Sequence, residues 1–361
     1  MTATGQIQPV FGGFGTVTRL CRLVTEDRTW KALGVEVLGI NLPKCVITRT
    51  WNETLDAGTV EFGNTLGFFG GLYVLNAMVD KTLKRLRIPV HPDPKILSRG
   101  RIMKSFALVS PLFAFMFAVP YFRNALTAWR SGTTDFRNLI SKGDQAKTAL
   151  VEAKSRQHMR HNLKKGLGFI AAGVALGLAG FVFFASAPAR VLLGKAKPGT
   201  WLQKGQSVLK AACLRGKDGK SYDDYYALAY WGVPCYTGLI AASRDPFEVK
   251  EQALKMLNFH FMYLVPNKII QSAVKNSQQA YIRRFPQVYP GKVFSYGQWA
   301  QVHRTASQAI KSGLAKALRF ENTRILTDLG VTTALMAVFP TVLNIYLTQK
   351  RIERARMLER S

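Results

Sequence analysis

Apolar residues in this 361-residue chain are gathered into long uncharged runs that alternate with basic stretches. The longest run covers residues 166–189 and holds 24 uncharged residues between Lys165 and Arg190. A helix needs about 20 apolar residues to cross the hydrocarbon core of a bilayer, so this run predicts a membrane helix. Its basic flanks favour that interpretation over a buried helix of a soluble protein.

The other apolar runs are shorter or interrupted, and they cover residues 64–79, 105–122, 225–243 and 329–349. The last three contain proline or glycine, so each predicts either a membrane span or a re-entrant hairpin. Basic stretches lie on both sides of the second run, and the positive-inside rule therefore gives no consistent orientation. Three explanations are open: the rule is weak in this membrane, long loops cross regardless of charge, or the interrupted runs enter and leave by the same face as hairpins. We favour re-entry, because it fits the proline and glycine content of these runs.

The rest of the chain is also predicted to be helical. Residues 142–165 are rich in strong helix formers, and residues 269–284 and 306–326 carry apolar residues at spacings of three and four. Residues 34–42 fit a short strand or a helix equally well. The predicted fold class is a mainly α, integral membrane protein with about three to five membrane-embedded helices or hairpins and a small N-terminal region of mixed structure.

Charge divides the chain more sharply than hydropathy does. The 50 Lys and Arg residues outnumber the 21 Asp and Glu residues, which gives a formal net charge of +29. Residues 1–63 are neutral, with six basic and six acidic side chains, and the excess of positive charge lies in residues 64–361. We therefore predict a neutral N-terminal region followed by a basic helical membrane domain.

A basic chain with membrane helices predicts anionic lipid as its partner, because each Lys or Arg near such a surface gains about 1 kcal/mol. Anionic lipid explains the positive charge more simply than nucleic acid does, since the chain has no recognisable DNA- or RNA-binding motif. Other membrane subunits or self-association are further candidate partners. The location expected is a bacterial or organellar inner membrane. The predicted lipid contacts are Lys81, Lys84, Arg85, Arg87, Arg99, Arg101 and Lys104.

Small residues recur at the spacing that lets membrane helices approach closely. Glycines four residues apart line one face of a helix, where they allow a neighbouring backbone to pack tightly. Such series occur at Gly63, Gly67 and Gly71, and again at Gly173 and Gly177. These five glycines are predicted to mediate helix packing.

A weak internal repeat suggests two related halves, residues 64–130 and 250–350, separated by the membrane helix at 166–189. Ala114, Met116, Pro120 and Asn124 recur 220 residues later, and a fainter match has an offset of 191 residues. Proline-interrupted helices in corresponding positions are typical of transporters with a site in the middle of the membrane. The candidate polar membrane site therefore comprises Asn76, Asn124, Asn267, Asn344, Pro120 and Pro340.

Candidate catalytic chemistry is sparse. The four cysteines and five histidines form no recognisable zinc pattern, and no nucleophile-elbow or zinc-protease motif is present. We therefore assign no catalytic residue, metal ligand or cofactor. The function predicted is a non-catalytic anchoring, structural or membrane-shaping component that binds anionic lipid. The alternatives are a lipid- or solute-translocating protein built from two halves and, third, a membrane-bound enzyme.

Overall fold

A computed structural model describes residues 15–26, 33–91, 98–132, 135–140, 149–186, 199–213 and 225–360. The chain is mainly helical, and no strand occurs within these ranges. It divides into two compact units. The first unit contains the described residues up to Ile40 together with residues 262–337, and the second contains residues 41–261 and 338–361 so far as they are described.

Fourteen α-helices are numbered here in chain order through the described ranges. They are α1 (Gly15–Glu26), α2 (Leu42–Val46), α3 (Trp51–Thr65), α4 (Leu72–Arg85), α5 (Arg99–Ser131), α6 (Phe136–Ile140), α7 (Ala149–Ala185), α8 (Trp201–Cys213), α9 (Tyr225–Ala241), α10 (Pro246–Leu264), α11 (Pro266–Arg284), α12 (Tyr296–Thr305), α13 (Gln308–Thr333) and α14 (Phe339–Arg360). Short π-helical segments at Val35–Asn41, Leu66–Gly71 and Ala334–Val338 lie next to α2, α3 and α13.

Three helical stretches in the described part of the chain are long and apolar enough to cross a membrane: Arg99–Ser131, Ala153–Ala185 and Gln308–Ala355. The first and third contain the runs at 105–122 and 329–349, which are continuous helices and not the hairpins that we favoured from the sequence. The run at 225–243 is not a hairpin either, because α9 continues through Pro234. Proline fixes a helical backbone angle but lacks an N–H, so Pro111 and Pro120 each remove one bond from α5 without ending it.

Helix α5 is the centre of the second unit, and glycines face it from two neighbouring helical stretches. A β-carbon added to Gly63 would lie 3.0 Å from the side chain of Val119, and one added to Gly71 would lie 2.9 Å from the side chain of Leu112. A β-carbon on Gly177 of α7 would lie 3.2 Å from the carbonyl oxygen of Phe106. Gly67 and Gly173 face Phe115 and Ala114 of the same helix. A side chain at Gly173 or Gly177 would meet the backbone of α5, whereas one at Gly63, Gly67 or Gly71 would require a side chain of α5 to move.

The described N-terminal residues are helical. Residues 34–42, which fitted either a strand or a helix, form the π-helical segment and the first residue of α2. Asn41 is fully buried there, and its side-chain amide donates to the hydroxyl of Thr65 at 2.7 Å. The change in charge at residue 63 falls inside α3, whereas the two compact units divide after Ile40.

The core of the first unit is aromatic and aliphatic. Trp299 on α12 is buried, and its indole N–H donates to the carbonyl of Leu314 at 2.8 Å. Cys21 of α1 belongs to the same cluster, which places α1 against α13. The buried members are Cys21, Phe285, Val288, Tyr289, Phe294, Tyr296, Trp299, Leu314, Ala317, Leu318 and Ile325.

Candidate functional site

A group of charged side chains, here called the ion network, lies inside the second unit, where its side chains are 0–12% exposed apart from Lys255 at 33%. It joins the turns before α3 and α10 to the bodies of α3, α5 and α10. Four cationic side chains face four carboxylates, so the formal charges balance. The members are Arg49, Glu53, Asp56, Arg123, Arg244, Glu248, Glu251 and Lys255.

The start of α3 explains the position of the first two members. Thr50 is the N-cap residue, and its hydroxyl accepts the backbone N–H of Glu53 at 3.2 Å. The Glu53 carboxylate turns back and accepts the backbone N–H of Arg49 at 2.7 Å and the Nε–H of Arg49 at 3.0 Å. This is a variant of the capping box, because the glutamate accepts the backbone N–H of the residue before the N-cap and binds that residue's guanidinium as well.

The start of α10 has the same construction. The Asp245 carboxylate accepts the backbone N–H of Glu248 at 2.9 Å. Glu248 in turn accepts the backbone N–H of Arg244 at 2.7 Å and the Nε–H of Arg244 at 3.0 Å. Both arginines are therefore held by their own helix start before they reach any other group.

The two arginines also reach across to each other's segment. Arg244 Nη2 lies 2.8 Å from Asp56 Oδ2 on α3, and Arg49 Nη2 lies 3.2 Å from Glu251 Oε2 on α10. A second cation supports each of these two acids. Arg123 lies 3.6 Å from Asp56, and Lys255 lies 3.0 Å from Glu251.

Helix α5 inserts Arg123 and Thr127 into the network. Arg123 is 3% exposed, and its Nη2 lies 2.9 Å from Glu248 Oε1. The hydroxyl of Thr127 donates to Asp56. Since Arg123 directly follows the apolar run at 105–122, the network lies at one end of the apolar part of α5.

The network keeps its carboxylates ionised. Burial alone would raise the pKa of Glu248, but Arg123 and Arg244 outweigh the burial and hold that pKa at about 2. Burial likewise opposes ionisation of Glu251, yet Lys255 and Arg49 lower its pKa. Neither acid is therefore available to exchange a proton near neutral pH, and the arrangement suits a structural or switching role better than acid–base catalysis.

Helix α6 covers the arginines with an aromatic ring. The guanidinium carbons of Arg49 and Arg244 lie 5.5 and 5.7 Å from the ring centre of Phe136, within the range of cation–π contacts. The hydroxyl of Thr50 donates to the carbonyl of Leu139 at 2.8 Å. Beside them, burial raises the pKa of Asp245, and the nearby Asp135 carboxyl raises it further against the opposing N–H of Glu248.

Helix α7 presents a second candidate surface, which is apolar. Four of its glycines contact α5, while much of the remaining surface of the helix exposes large apolar side chains. Phe169, at the edge of this surface, also contacts Phe117 and Tyr121 of α5. Leu176, near the middle, is 60% exposed. We call this the α7 apolar face, and its exposed members are Leu163, Leu167, Phe169, Val174, Leu176, Leu178, Val182 and Phe183.

The predicted lipid-contact residues divide into two groups in the structure. Lys81, Lys84, Arg85 and Arg87 are exposed at the end of α4 and in the turn that follows. The other three bind protein groups. Arg99 donates to the carbonyls of Phe184 and Ala185 at the end of α7, Arg101 donates to the carbonyl of His91, and Lys104 lies 2.5 Å from Asp80.

The structure brings two of the predicted polar membrane residues to the edge of the ion network. Asn124 donates to the carbonyl of Ala242 at 2.5 Å, and Asn344 donates to the carbonyl of Glu251 at 3.0 Å. Asn76 is separate and donates to Asp80 at 3.3 Å. The side chain of Asn267 lies outside the described residues. Pro120 and Pro340 are buried within their helices.

Sequence reasoning missed the ion network. The one signal in the sequence is the order Arg-x-x-x-Glu-x-x-acid, which occurs at Arg49 and again at Arg244, each time after Thr or Ser. An arginine and a glutamate four residues apart usually form a solvated pair on a helix surface, so the pattern alone does not predict a buried network. Within the residues that the structure covers, no group of three or more His, Cys, Asp or Glu side chains could hold a metal ion.

Comparisons with protein-family models, curated proteins and solved structures give no match to this chain.

Proposed function

We propose that this protein is an integral membrane protein and that it acts as a non-catalytic anchoring or structural component on anionic lipid. The observation that carries the proposal is the α7 apolar face. Monomeric soluble proteins rarely expose contiguous apolar patches larger than a few hundred Å², whereas a helix in lipid exposes such a face along its whole length.

The N-terminal part of α7 supports the proposal through its charge. Exposed basic side chains occupy several turns immediately before the apolar part of the helix. A helix with this arrangement places its apolar part in the hydrocarbon region and its basic part among anionic headgroups. The residues are Lys154, Arg156, Arg160, Lys164 and Lys165.

Aromatic and basic residues outside α7 fit the same placement. Trp129 at the end of α5 and Trp201 at the start of α8 are both largely exposed, as interfacial tryptophans are. The four exposed cations at Lys81, Lys84, Arg85 and Arg87 flank Leu83, which packs with Phe184 at the C-terminal end of α7. They form the basic surface that we assign to headgroup contact at the face opposite the basic part of α7. An inner membrane rich in anionic lipid is the corresponding location.

A lysine placed in the α7 apolar face tests membrane insertion. Leu176→Lys puts a charge at the middle of the proposed span, at a cost of about 2.5–3.5 kcal/mol if that position lies in lipid. We expect a large drop in the fraction of protein that resists carbonate extraction from membranes. The matched control is Gln157→Lys, an exposed position in the basic part of the same helix. Equal extraction of the two variants would contradict insertion.

Neutralising the exposed cations tests the assignment of anionic lipid. We expect the combined change of Lys81, Lys84, Arg85 and Arg87 to Gln to weaken binding to vesicles containing phosphatidylglycerol, more at low salt than at high salt. The control removes four exposed cations elsewhere, by changing Arg283, Arg304, Lys316 and Arg319 to Gln. An equal loss in both variants would mean that only net charge matters, and the assigned surface would be wrong.

A further inference from the structure

The ion network contains the same construction twice. Arg49, Glu53 and Asp56 correspond to Arg244, Glu248 and Glu251 at a constant spacing of 195 residues. The backbone N–H and Nε–H of each arginine donate to the carboxylate four residues later at the same distances, 2.7 and 3.0 Å, in both copies. This register differs by about one helical turn from the 191-residue register suggested by the sequence alone.

The copies exchange their arginines. Arg49 bonds Glu53 of its own copy and Glu251 of the other copy. Arg244 bonds Glu248 of its own copy and Asp56 of the other copy. An exchange of this kind is what a two-fold arrangement of two equivalent segments produces, because the contact made by one copy is then made in return by the other.

The proline-containing helices extend the correspondence. Pro120 and Asn124 on α5 match Pro340 and Asn344 on α14 at a spacing of 220 residues. Thr127 donates to Asp56 of the first copy. At the spacing of 220 residues the counterpart of Thr127 is Leu347, so this contact belongs to the first copy alone. The match is imperfect, since Leu343 stands where the first copy has Arg123 and Val60 where the second has Lys255.

We propose that the second unit contains two copies of one smaller unit, the first formed by α2, α3 and α5 and the second by α9, α10 and α14. The exchanged arginines close a gate between the two copies in a solute-translocating membrane protein. The proposal goes beyond an anchoring role and rests on the proposed membrane insertion. Replacing a buried ion pair with apolar residues often costs no stability, so the network itself is better explained by switching between arrangements than by stability. Repeated units with paired proline-interrupted helices are the construction used by alternating-access transporters.

The placement of the network supports a gate at one membrane face. It lies at the end of the apolar part of α5, where a closed ion network would separate a path between the copies from the solution. Phe136 covers both exchanged arginines and is itself buried, so opening requires it to leave them.

A release assay on reconstituted full-length protein tests the gate. Vesicles of phosphatidylcholine and phosphatidylglycerol are loaded with glucose and carboxyfluorescein, and the variant carries Arg49→Gln and Arg244→Gln. We expect release of at least one solute to increase about tenfold or more over the unaltered protein. The matched control is Lys44→Gln with Glu61→Gln, a less buried pair outside the network. Unchanged release from the inserted, folded arginine variant would overturn the proposal.

A cross-link between the copies separates gating from general leakiness. The side-chain amide of Asn64 in α3 lies 2.7 Å from Sγ of Cys235 in α9, so Asn64→Cys places two thiols at this contact. In the arginine variant, we expect oxidation of this pair to abolish the extra release and reduction to restore it. Release that ignores the cross-link, once the bond is verified by mass spectrometry, would contradict the gate.

Two further outcomes keep the test decisive. If the glutamine variant does not fold, Arg49→Lys with Arg244→Lys retains the charges but removes the forked hydrogen bonding, and we expect a smaller increase in release. No increase from the folded lysine variant would then overturn the gate. Failure of the unaltered protein to resist carbonate extraction would instead contradict the proposed membrane insertion.

Discussion

The two compact units bury charge in different ways. In the first unit one acid, Glu321, is buried beside an aromatic core, and it is held by Gln278 at 2.8 Å and by Arg324 at 2.9 Å. In the second unit eight charged side chains bond one another across three helices and two turns. The first unit therefore packs a single buried acid against its apolar core, whereas the second unit combines several apolar clusters with charges that must all be present together.

This difference predicts how the stability of each unit responds to a substitution. Removing one apolar contact leaves a cavity that the surrounding residues partly fill. Removing one charge from a neutral buried network leaves its partners unpaired, which is more costly than the net contribution of the pair. The second unit should thus be the more sensitive to single substitutions at its centre.

The largest expected effect is that of Arg244→Ala. It leaves Asp56 and Glu248 with Arg123 as their remaining partner in the network, and we expect the second unit to lose about 3–5 kcal/mol. Two buried thiols report on the units separately, Cys45 in the second and Cys21 in the first. Labelling of Cys45 should accelerate by about two to four orders of magnitude while labelling of Cys21 stays unchanged.

The control for Arg244→Ala is Lys250→Ala, which removes an exposed cation from α10. We expect its effect on Cys45 labelling to be small. If Arg244→Ala changes the labelling of both thiols equally, the two units do not unfold independently, and the comparison fails.

A smaller effect is expected for Trp299→Phe in the first unit. The change removes the hydrogen bond to Leu314 and part of a buried ring, so we expect a loss of about 2 kcal/mol. Cys21 should be labelled faster and Cys45 should not. Trp51→Phe, at an exposed position in the second unit, is the matched control. A larger effect for Trp299→Phe than for Arg244→Ala would reverse the ranking of the two units.

Opposite responses to pH sharpen the comparison. The pKa of Glu248 is lowered to about 2, so its contribution is present above the usual glutamate pKa and is lost as the pH falls through about 4.5 towards 2. The pKa of Asp245 is raised, so this carboxyl favours the folded state as the pH falls and partly offsets the stability lost at Glu248. In the first unit, burial raises the pKa of Tyr289 and Tyr296, so their contribution is lost as the pH rises above about 10.

Hydroxyl-radical footprinting in urea measures both responses. Acid should expose Phe136 at a lower urea concentration than at neutral pH, and alkali should do the same for Trp299. Tyr289→Phe, which cannot ionise, should weaken the alkaline response of the first unit. If Phe136 and Trp299 became exposed at the same urea concentration in acid or in alkali, the two units would share one unfolding transition.

Much of the fold could be predicted from residue patterns that are local in sequence. The uncharged run at 166–189 predicted the apolar part of α7, because hydropathy and length alone decide whether a helix can span a membrane. The prolines misled us about 105–122 and 329–349. Their effect on a helix depends on what packs around the freed carbonyls, and that is a tertiary property.

The ion network could not be derived in the same way. Its decisive contacts join residues 188 and 202 positions apart, and each half looks like an ordinary helix start with an arginine in front. Arg123 follows an apolar run directly, where a cation is normally an interfacial residue. Only the approach of α3, α5 and α10 shows that it faces Glu248 and Asp56.

The smallest effect is expected for a pair of the same unit that is less buried. Lys44 and Glu61 lie 2.9 Å apart with 15% and 23% of their side chains exposed. Solvent screens this pair, so Lys44→Ala should cost about 0.2–1 kcal/mol, and high salt should reduce the difference further. The measurement is again Cys45 labelling, at low and high salt, with Lys250→Ala as the reference. A cost near that of Arg244→Ala would mean that charge pairing in general, and not the exchanged network, holds the second unit together.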